Sequence, residues 1–146
     1  MSLIIGLCSD HAGFLMKECV RIRLEDDHIR YKDFGTFSAH SCDYPDFAHP
    51  LAEAVEKGEV QVGIAVCGTG NGIAMTLNKH RDIRAALCWD TAVAHLSRAH
   101  NDANVLVLPG RFISSETALK VLGVFLDTAF EGGRHKRRVD KIRVAE

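Results

Sequence analysis

The chain has 146 residues, of which 47% are apolar and 25% are charged, and 18 Lys and Arg nearly balance 19 Asp and Glu. These values suit one globular domain over residues 1–146, exclude disordered or fibrous proteins, and favour neither nucleic acid nor a membrane as partner. Because the five cysteines form no close pairs and no apolar run approaches the ~20 residues of a membrane helix, we expect a reduced, cytoplasmic protein without bound metal.

Five short segments predict β-strands. Runs rich in Val, Ile and Leu at 3–8, 62–67, 83–88 and 105–108 are typical of parallel strands that are buried on both faces. By contrast, Ile29 and Tyr31 alternate with charged residues, which predicts a half-exposed strand at one edge of the sheet.

Between these segments, apolar residues three or four positions apart predict helices. The predicted core faces are Leu15, Cys19 and Ile22 in the first helix, Phe47, Leu51, Ala54 and Val55 in the second, and Ala118, Val121, Leu122, Phe125, Leu126 and Ala129 in the fifth. Ser114 and Ser115 are candidate N-caps of the fifth helix. Pro50 interrupts the second pattern, so that helix either begins near Asp46, with Pro50 in its first turn, or breaks at Pro50.

The repeated alternation of strand and helix predicts an α/β three-layer sandwich around a five-stranded, parallel, Rossmann-like sheet. Residues 134–143 then hold six Lys and Arg and one Asp, a net charge of +5, which leaves −6 for the remainder. A last helix over 134–144 has Val139 and Ile142 as its apolar anchors. Two anchors are too few to bury this helix against its own body, so we expect it to reach a partner subunit.

Polar residues follow the predicted strands at the edge where ligands bind in open parallel sheets. The third strand ends in an unusual turn that consists of Cys67, Gly68, Thr69, Gly70, Asn71 and Gly72. Its glycines let successive N–H groups point into one concavity, and a helix predicted to start near residues 72–73 favours negative charge there. The spacing matches neither the dinucleotide fingerprint nor the ATP-binding loop, so we predict an anion-binding turn and no cofactor.

Cys67 directly precedes this turn, where a thiolate is favoured and could act as a nucleophile or as a base toward carbon. The alternative is that Cys67 merely ends a buried strand. Cys8 and Cys88 also end strands but lack the glycine turn, so we predict that both are structural. Cys19 is predicted in the core face of a helix, and Cys42 in a loop.

Three further groups of polar residues have both a functional and a structural interpretation. Asp10 and His11 follow the first strand. They are either a polar pair at the ligand-binding edge of the sheet, or a helix N-cap and a solvent-exposed imidazole. His100 and Asn101 close the fourth helix, where a histidine also complements the helix dipole. Arg134 and Arg138 lie four residues apart and form either a phosphate-binding fork or a solvated basic face. Together with Cys67, these groups suit proton abstraction beside the carbonyl of a phosphorylated sugar.

Six motifs occur in an order that resembles the B-type ribose-5-phosphate isomerases, within the family that includes galactose-6-phosphate isomerase. They are DHAGF at 10–14, DYP at 43–45, CGTGNGI at 67–73, NK at 78–79, HNDAN at 100–104 and EGGRH at 131–135. The resemblance spans essentially residues 4–142. It implies interconversion of ribose 5-phosphate and ribulose 5-phosphate, in the non-oxidative branch of the pentose phosphate pathway.

The resemblance also implies catalytic roles. Cys67 would move a proton between C2 and C1 through a cis-enediolate, and the N–H groups of residues 68–72 with the Thr69 side chain would stabilise the enediolate oxygens. His100 would open the furanose ring. Some members replace the cysteine by a glutamate slightly further along the loop, but residues 73–76 of this chain contain no acid.

Substrate and partner contacts follow from the same resemblance. Asp10 would bind sugar hydroxyls, and Asn101 would assist. The phosphate or nearby substrate oxygens would contact His11, Arg111, Arg134 and Arg138. Family members are homodimers, sometimes paired into tetramers, that build each active site from both subunits.

Three other functions are compatible with parts of the sequence. A phosphometabolite sensor would keep the glycine turn and the arginines but would not need Cys67, His100 and Asp10 together. A nucleic-acid-binding module would use the basic tail, but the acidic body and the absence of aromatic residues from 134 to 146 argue against it. The same chemistry could also act on allose or galactose 6-phosphate.

Overall fold

The computed structural model describes residues 2–145, in which strands and helices alternate. The strands are β1 (Ile4–Ser9), β2 (Arg30–Asp33), β3 (Val62–Cys67), β4 (Ala85–Leu87) and β5 (Val105–Pro109). The helices are α1 (Phe14–Asp26), α2 (Pro45–Glu56), α3 (Asn71–Leu77), α4 (Thr91–Ala99), α5 (Ser115–Asp127) and α6 (Arg134–Val139). Within the described chain, no helix is both long and apolar enough to cross a bilayer.

The five strands form one parallel sheet in the order β2-β1-β3-β5-β4. Alternate residues of a strand point to opposite faces, so Ile64 and Val66 enter one core while Ala65 and Cys67 enter the other. Helices α1, α4 and α5 cover the first face, and α2 and α3 cover the second. The predicted five-stranded parallel sheet with helices on both faces is confirmed.

The predicted core face of α1 is wrong. Leu15 and Ile22 are 75% and 50% exposed, whereas Met16, Val20 and Leu24 are buried. The buried face was not predicted because it contains a charged residue, Lys17. Lys17 is buried and forms an ion pair with Asp33 of β2 at 2.6 Å. An ionised group is tolerated in a core only when it is paired, and the partner comes from a distant part of the sequence.

Helix α2 starts close to Asp46, as the first alternative predicted, but Pro50 lies deeper in the helix than predicted. It begins at Pro45 and continues unbroken past Pro50, which lies in the second turn rather than the first. Pro50 cannot donate to the Asp46 carbonyl, so the helix lacks one internal hydrogen bond. The apolar face that α2 buries, which includes Leu51, Ala52 and Ala54, offsets this loss.

Two segments at the sheet's periphery are shorter than predicted. Strand β4 covers three residues of the segment 83–88, and α6 ends at Val139 rather than at residue 144. The anchor of α6 is His135, which is buried, while Ile142 is largely exposed. The residue that anchors this helix is a histidine, a residue type often found at surfaces. The spacing of apolar residues therefore could not predict this contact.

The loop between β1 and α1 is pressed against the end of β3. Asp10 donates its backbone N–H to the carbonyl of Val66 at 3.2 Å, and its side-chain Oδ1 accepts the Gly13 N–H at 3.0 Å. A Cβ on Gly13 would lie 2.4 Å from the Val66 carbonyl oxygen, so glycine is needed for this close approach. The backbone of Gly13 has a right-handed conformation that other residues also adopt. Glycine is therefore needed here only because a larger side chain has no space.

We expect Gly13→Ala to lower the free energy of unfolding by about 1–3 kcal/mol, because the new methyl group pushes the loop off β3. The matched control is Gly123→Ala in α5, where an added Cβ meets no atom within 4 Å. That change should raise stability by about 0.5–1 kcal/mol, since alanine is the better helix former. Urea denaturation of both variants tests the contrast, and equal stabilities would refute it.

Candidate active site

The ends of β3 and β5 form the centre of the site. Cys67 is the last residue of β3, lies opposite Pro109 in the sheet register, and is 4% exposed. Just beyond it, Gly110 donates its N–H to the Cys67 carbonyl at 2.9 Å, and Arg111 donates its N–H to the Gly68 carbonyl at 3.0 Å. The loop after β5 is thereby fastened alongside the turn that follows Cys67.

The turn presents unused backbone donors beside the thiol. Gly70 adopts a φ of 80°, in the left-handed region that favours glycine, and α3 begins immediately after it, at Asn71. The N–H groups of Gly68, Thr69 and Gly70 make no hydrogen bond with any of residues 2–145. The Asn71 N–H differs, because it donates to the Thr69 hydroxyl at 3.1 Å. Three consecutive amides are thus available to an anion.

Asp10, His11 and Arg111 surround this turn from the neighbouring loops. Asp10 is buried and ties its loop to the end of β3, as described above. His11 accepts the N–H of Cys42 on its Nδ1 at 3.2 Å, which orients its ring. The Arg111 side chain lies across Gly68, where its Cδ would be 3.4 Å from an added Cβ. The carboxyl edge of the sheet therefore brings together a thiol, free amides, a carboxylate, an imidazole and a guanidinium.

Tyr44 also belongs to this site, although we assigned it no role from the sequence. Its ring covers the start of α3 so closely that a Cβ on Gly72 would lie 2.5 Å from the tyrosine Cζ. Tyr44 precedes α2, and its hydroxyl oxygen lies 2.8 Å from that Cβ position, just after the free amides of residues 68–70. The sequence feature that could have indicated a role for Tyr44 is the DYP motif at 43–45, of which it is the middle residue.

The two other thiols at strand ends are structural, as predicted. Burial, reinforced by the charge of Asp33, raises the pKa of Cys8 far above its usual range. Burial also raises the pKa of Cys88 to about 11, against a smaller opposing effect of the hydrogen bond to Ser97. Both residues remain protonated at neutral pH, which leaves Cys67 as the strand-end cysteine that adjoins the free amides. Cys19, by contrast, is partly exposed rather than a core residue.

The remaining predicted site residues stand at the opposite edge of the sheet. Helix α4 starts beside the carboxyl end of β4 and runs back, so His100 and Asn101 lie near the amino ends of the strands. Helix α5 runs the same way, and the segment after it bonds to the end of α4 through the Glu131 N–H and the Ala99 carbonyl, at 3.0 Å. Arg134 and Arg138 follow on α6, with both side chains exposed.

A cluster of side chains with nitrogen and oxygen donors forms at this amino edge. The rings of His100 and His135 are stacked, with centroids 4.0 Å apart and planes at 12°. Glu131 approaches the Nε2 of His100 at 3.8 Å, and the three side chains together have the donor types that bind metal ions. A cavity of about 560 Å³ opens nearby, lined by Asn101 and residues of the C-terminal tail, and Cys67 does not line it.

One chain therefore assembles two half-sites. The first contains Asp10, His11, Cys67, the free amides and Arg111, and the second contains His100, Asn101, Arg134 and Arg138. Strands β3 and β5 have six and five residues, so about 16–20 Å of sheet separates the edges at about 3.3 Å per residue. A five-carbon sugar phosphate is too short to touch both within one chain.

The fold and the first half-site define an α/β protein with unused backbone amides beside a thiol at the carboxyl edge of its sheet. Comparison with known proteins identifies the class. The sequence profile of the family described as Ribose/Galactose Isomerase matches residues 5–142. The chain belongs to this family and is an isomerase.

Individual relatives match over nearly their full length. Ribose-5-phosphate isomerase B of Escherichia coli is 42% identical over 142 residues, which cover 97% of this chain and 95% of the relative. A ribose 5-phosphate isomerase from Thermotoga maritima is 45% identical with a TM-score of 0.96, covering 98% and 99% of the two chains. The Mycoplasma genitalium ribose-5-phosphate isomerase B, solved with bound ribulose-5-phosphate, is 40% identical with a TM-score of 0.92, covering 97% and 95%.

The difference between the thiols can be measured by alkylation with iodoacetamide. In mildly alkaline buffer, the folded protein should be modified at Cys19 and Cys42, which are partly exposed, and should remain unmodified at Cys8 and Cys88. Raising the pKa of Cys88 from 9.0 to about 11 lowers its thiolate fraction about a hundredfold, in addition to steric protection. Peptide mass spectrometry gives the rates, with denatured protein as control. Modification of Cys88 as fast as Cys42 would contradict the assignment.

Proposed function

We propose that this isomerase interconverts ribose 5-phosphate and ribulose 5-phosphate, with Cys67 as the base and with each active site completed by a second copy of the chain. The observation that carries the proposal is the position of Cys67, at the mouth of a turn with three unused amides and beside Asp10 and Arg111. The substrate is proposed from the relatives, which are named for it and one of which holds ribulose-5-phosphate.

The reaction moves two protons and no other atoms. The Cys67 thiolate takes the proton from C2 of the open-chain aldose, the electron pair forms the C1–C2 double bond, and the negative charge goes to O1. The resulting thiol returns its proton to C1, while the proton on O2 passes to O1 and the carbonyl reforms at C2. The thiolate is regenerated, and the same steps run backward from the ketose.

The half-site around Cys67 supplies what a carbon-acid reaction needs. General base catalysis contributes ~10²–10⁴-fold, and each donor to the developing oxyanion a further ~10²–10³-fold. The N–H groups of Gly68, Thr69 and Gly70 are suited to the enediolate oxygens, because they need not break an internal bond first. The Thr69 hydroxyl and the amides of Asn71 and Gly72 would complete this cradle. Asp10 and Tyr44 would face the sugar hydroxyls.

Orientation by the phosphate supplies the remaining part of the rate. Arg111 lies across the turn of its own chain, and His11 stands on the neighbouring loop. Arg134 and Arg138 occupy one side of α6, and neither forms an ion pair with residues 2–145. Two unpaired guanidinium groups on one helix face are suited to bidentate capture of a phosphate. Such remote binding energy is what holds the reacting carbons in place.

The separation of the two half-sites supports a homodimer. His100 would open the furanose ring, and Asn101 would assist Asp10 in binding the sugar hydroxyls. Both residues lie at the opposite edge of the sheet from Cys67 of their own chain. A second copy that presents its amino edge to the first copy's carboxyl edge would bring the half-sites together twice by symmetry. Large exposed apolar side chains in the carboxyl-edge loops and in the helices that follow them give such a partner a surface to cover: Leu15, Phe37, Met75, Trp89 and Phe112.

Replacing the base tests the chemistry. Cys67→Ala should abolish turnover of ribose 5-phosphate, measured by the appearance of ribulose 5-phosphate, and should leave binding of the sugar phosphate nearly intact by calorimetry. The matched control is Cys19→Ala, which removes a partly exposed thiol of α1 and should retain wild-type kcat. Wild-type turnover by Cys67→Ala would eliminate Cys67 as the base. Binding without turnover by the unmodified protein would instead indicate a sensor.

Mixing two inactive variants tests the shared site. Cys67→Ala and His100→Ala each remove one half-site, and we expect each homodimer to be inactive on ribose 5-phosphate. When the two chains are unfolded together and refolded at equal amounts, half of the dimers are mixed and each has one intact site. Activity should then recover to about a quarter of the wild-type value. If both residues act within one chain, the mixture stays inactive.

A further inference from the structure

The buried ring of His135 stacks against the ring of His100. The two rings are nearly parallel, and the His135 side chain is only 6% exposed although it belongs to a short, charged helix. On the other side of the stack, His100 is partly exposed at the end of α4. One face of the His100 ring is therefore covered, while the side chain as a whole stays 36% exposed.

The backbone before α6 builds this stack. Gly132 and Gly133 both have positive φ, 71° and 58°, and turn the chain back onto the end of α4. The Glu131 N–H anchors this turn on the Ala99 carbonyl, one residue before His100. His135 then donates its N–H to the Gly132 carbonyl, which closes the first turn of α6. Two glycines in the left-handed region are thus used to bring one histidine onto another.

The surroundings of His135 favour the neutral form of its ring. Burial lowers the pKa of His135, and electrostatic interactions with His100, Arg134 and Arg138 lower it further, against the opposing carboxylate of Glu131. A neutral ring packs against the face of His100 without the repulsion of two imidazolium groups. The Nε2 of His135 is buried and has no hydrogen-bond partner among residues 2–145, so packing accounts for its position better than polar contacts do.

Metal binding does not explain the cluster of His100, Glu131 and His135. A metal ion lies close to the plane of each imidazole that binds it, but these two rings are stacked with their planes at only 12° and their centroids 4.0 Å apart. One ion cannot occupy both planes while the rings are stacked. The stack itself is therefore the feature that needs a function.

We propose that His135 is a positioning residue, whose buried ring fixes the plane of His100 for proton transfer during opening of the sugar ring. This inference rests on the proposed function, in which His100 acts on the substrate of the partner subunit. An imidazole at a helix end rotates freely about its side-chain bonds, and misplacement of a reacting group by about 1 Å can cost ~10²-fold in rate. His135 removes that freedom.

The choice of substrate separates this role from a general structural one. Ribose 5-phosphate is mostly a closed furanose and needs ring opening before isomerisation. Ribulose 5-phosphate cannot close that ring, because its 5-hydroxyl carries the phosphate, so its conversion needs the base but not the ring-opening group. A loss of His100 positioning should therefore slow the reaction from the aldose and spare the initial rate from the ketose.

The experiment compares His135→Ala, His135→Phe and the control Arg137→Ala in both directions. His135→Ala should lower kcat for ribose 5-phosphate about 10- to 100-fold, with a parallel fall in KM because the closed ring then binds unproductively. It should leave kcat for ribulose 5-phosphate, measured at saturation, close to wild type. His135→Phe keeps a flat ring and removes the unpaired nitrogen, so it should keep most of the forward activity and a melting temperature at or above wild type. Arg137→Ala, an exposed residue of the same helix, should match wild type in both assays.

Three results would overturn the inference. In the first, His135→Ala loses both directions equally, as expected from impaired folding or phosphate capture. In the second, His135→Ala retains both directions fully. In the third, a well-folded His135→Phe is as slow from ribose 5-phosphate as His135→Ala, which would assign the effect to the nitrogen. Failure of the proposed function itself is distinguishable, because the wild-type protein would then convert neither sugar.

Discussion

In a parallel sheet, each helix runs opposite to the strand before it, and this constraint decides at which edge of the sheet each candidate site residue lies. Residues that follow a strand collect at the carboxyl edge, as Asp10, Cys67 and Arg111 do. Residues that follow a helix collect at the amino edge, as His100 and Arg134 do. The motifs that the sequence analysis grouped into one site therefore form two half-sites at opposite edges of the sheet. The proposed dimer is the arrangement that joins them.

The half-site at the carboxyl edge depends on close backbone packing. Gly13 lets the loop after β1 rest on the Val66 carbonyl, and Gly70 turns the chain so that the amides before it have no internal acceptor. Both features set a thiol among unsatisfied donors, where negative charge is favoured. By contrast, Cys8 lies one strand away in an apolar layer, and burial holds it in the protonated form. The same residue type therefore has different surroundings at neighbouring strand ends.

Local patterns predicted the parts of the fold that depend on local chemistry. The apolar runs of β1, β3 and β5 were located to within one residue at each end, and Ser114 caps α5 by accepting the Thr117 N–H. The prediction failed where a distant partner decides the outcome. The buried face of α1 depends on Asp33 pairing with Lys17, and the anchor of α6 is a histidine whose packing partner lies at the end of α4.

Residue order and spacing were enough to predict the α/β alternation, the glycine turn after Cys67 and the candidate site residues, because strands, turns and helix faces have short-range signatures. Tertiary structure alone decided which of these residues are neighbours. It placed Tyr44 over the turn, put His135 under His100, and held Arg134 and Arg138 away from Cys67 of the same chain. These relations depend on strand order and helix direction, which arise from packing of the whole chain and leave no trace in residue spacing.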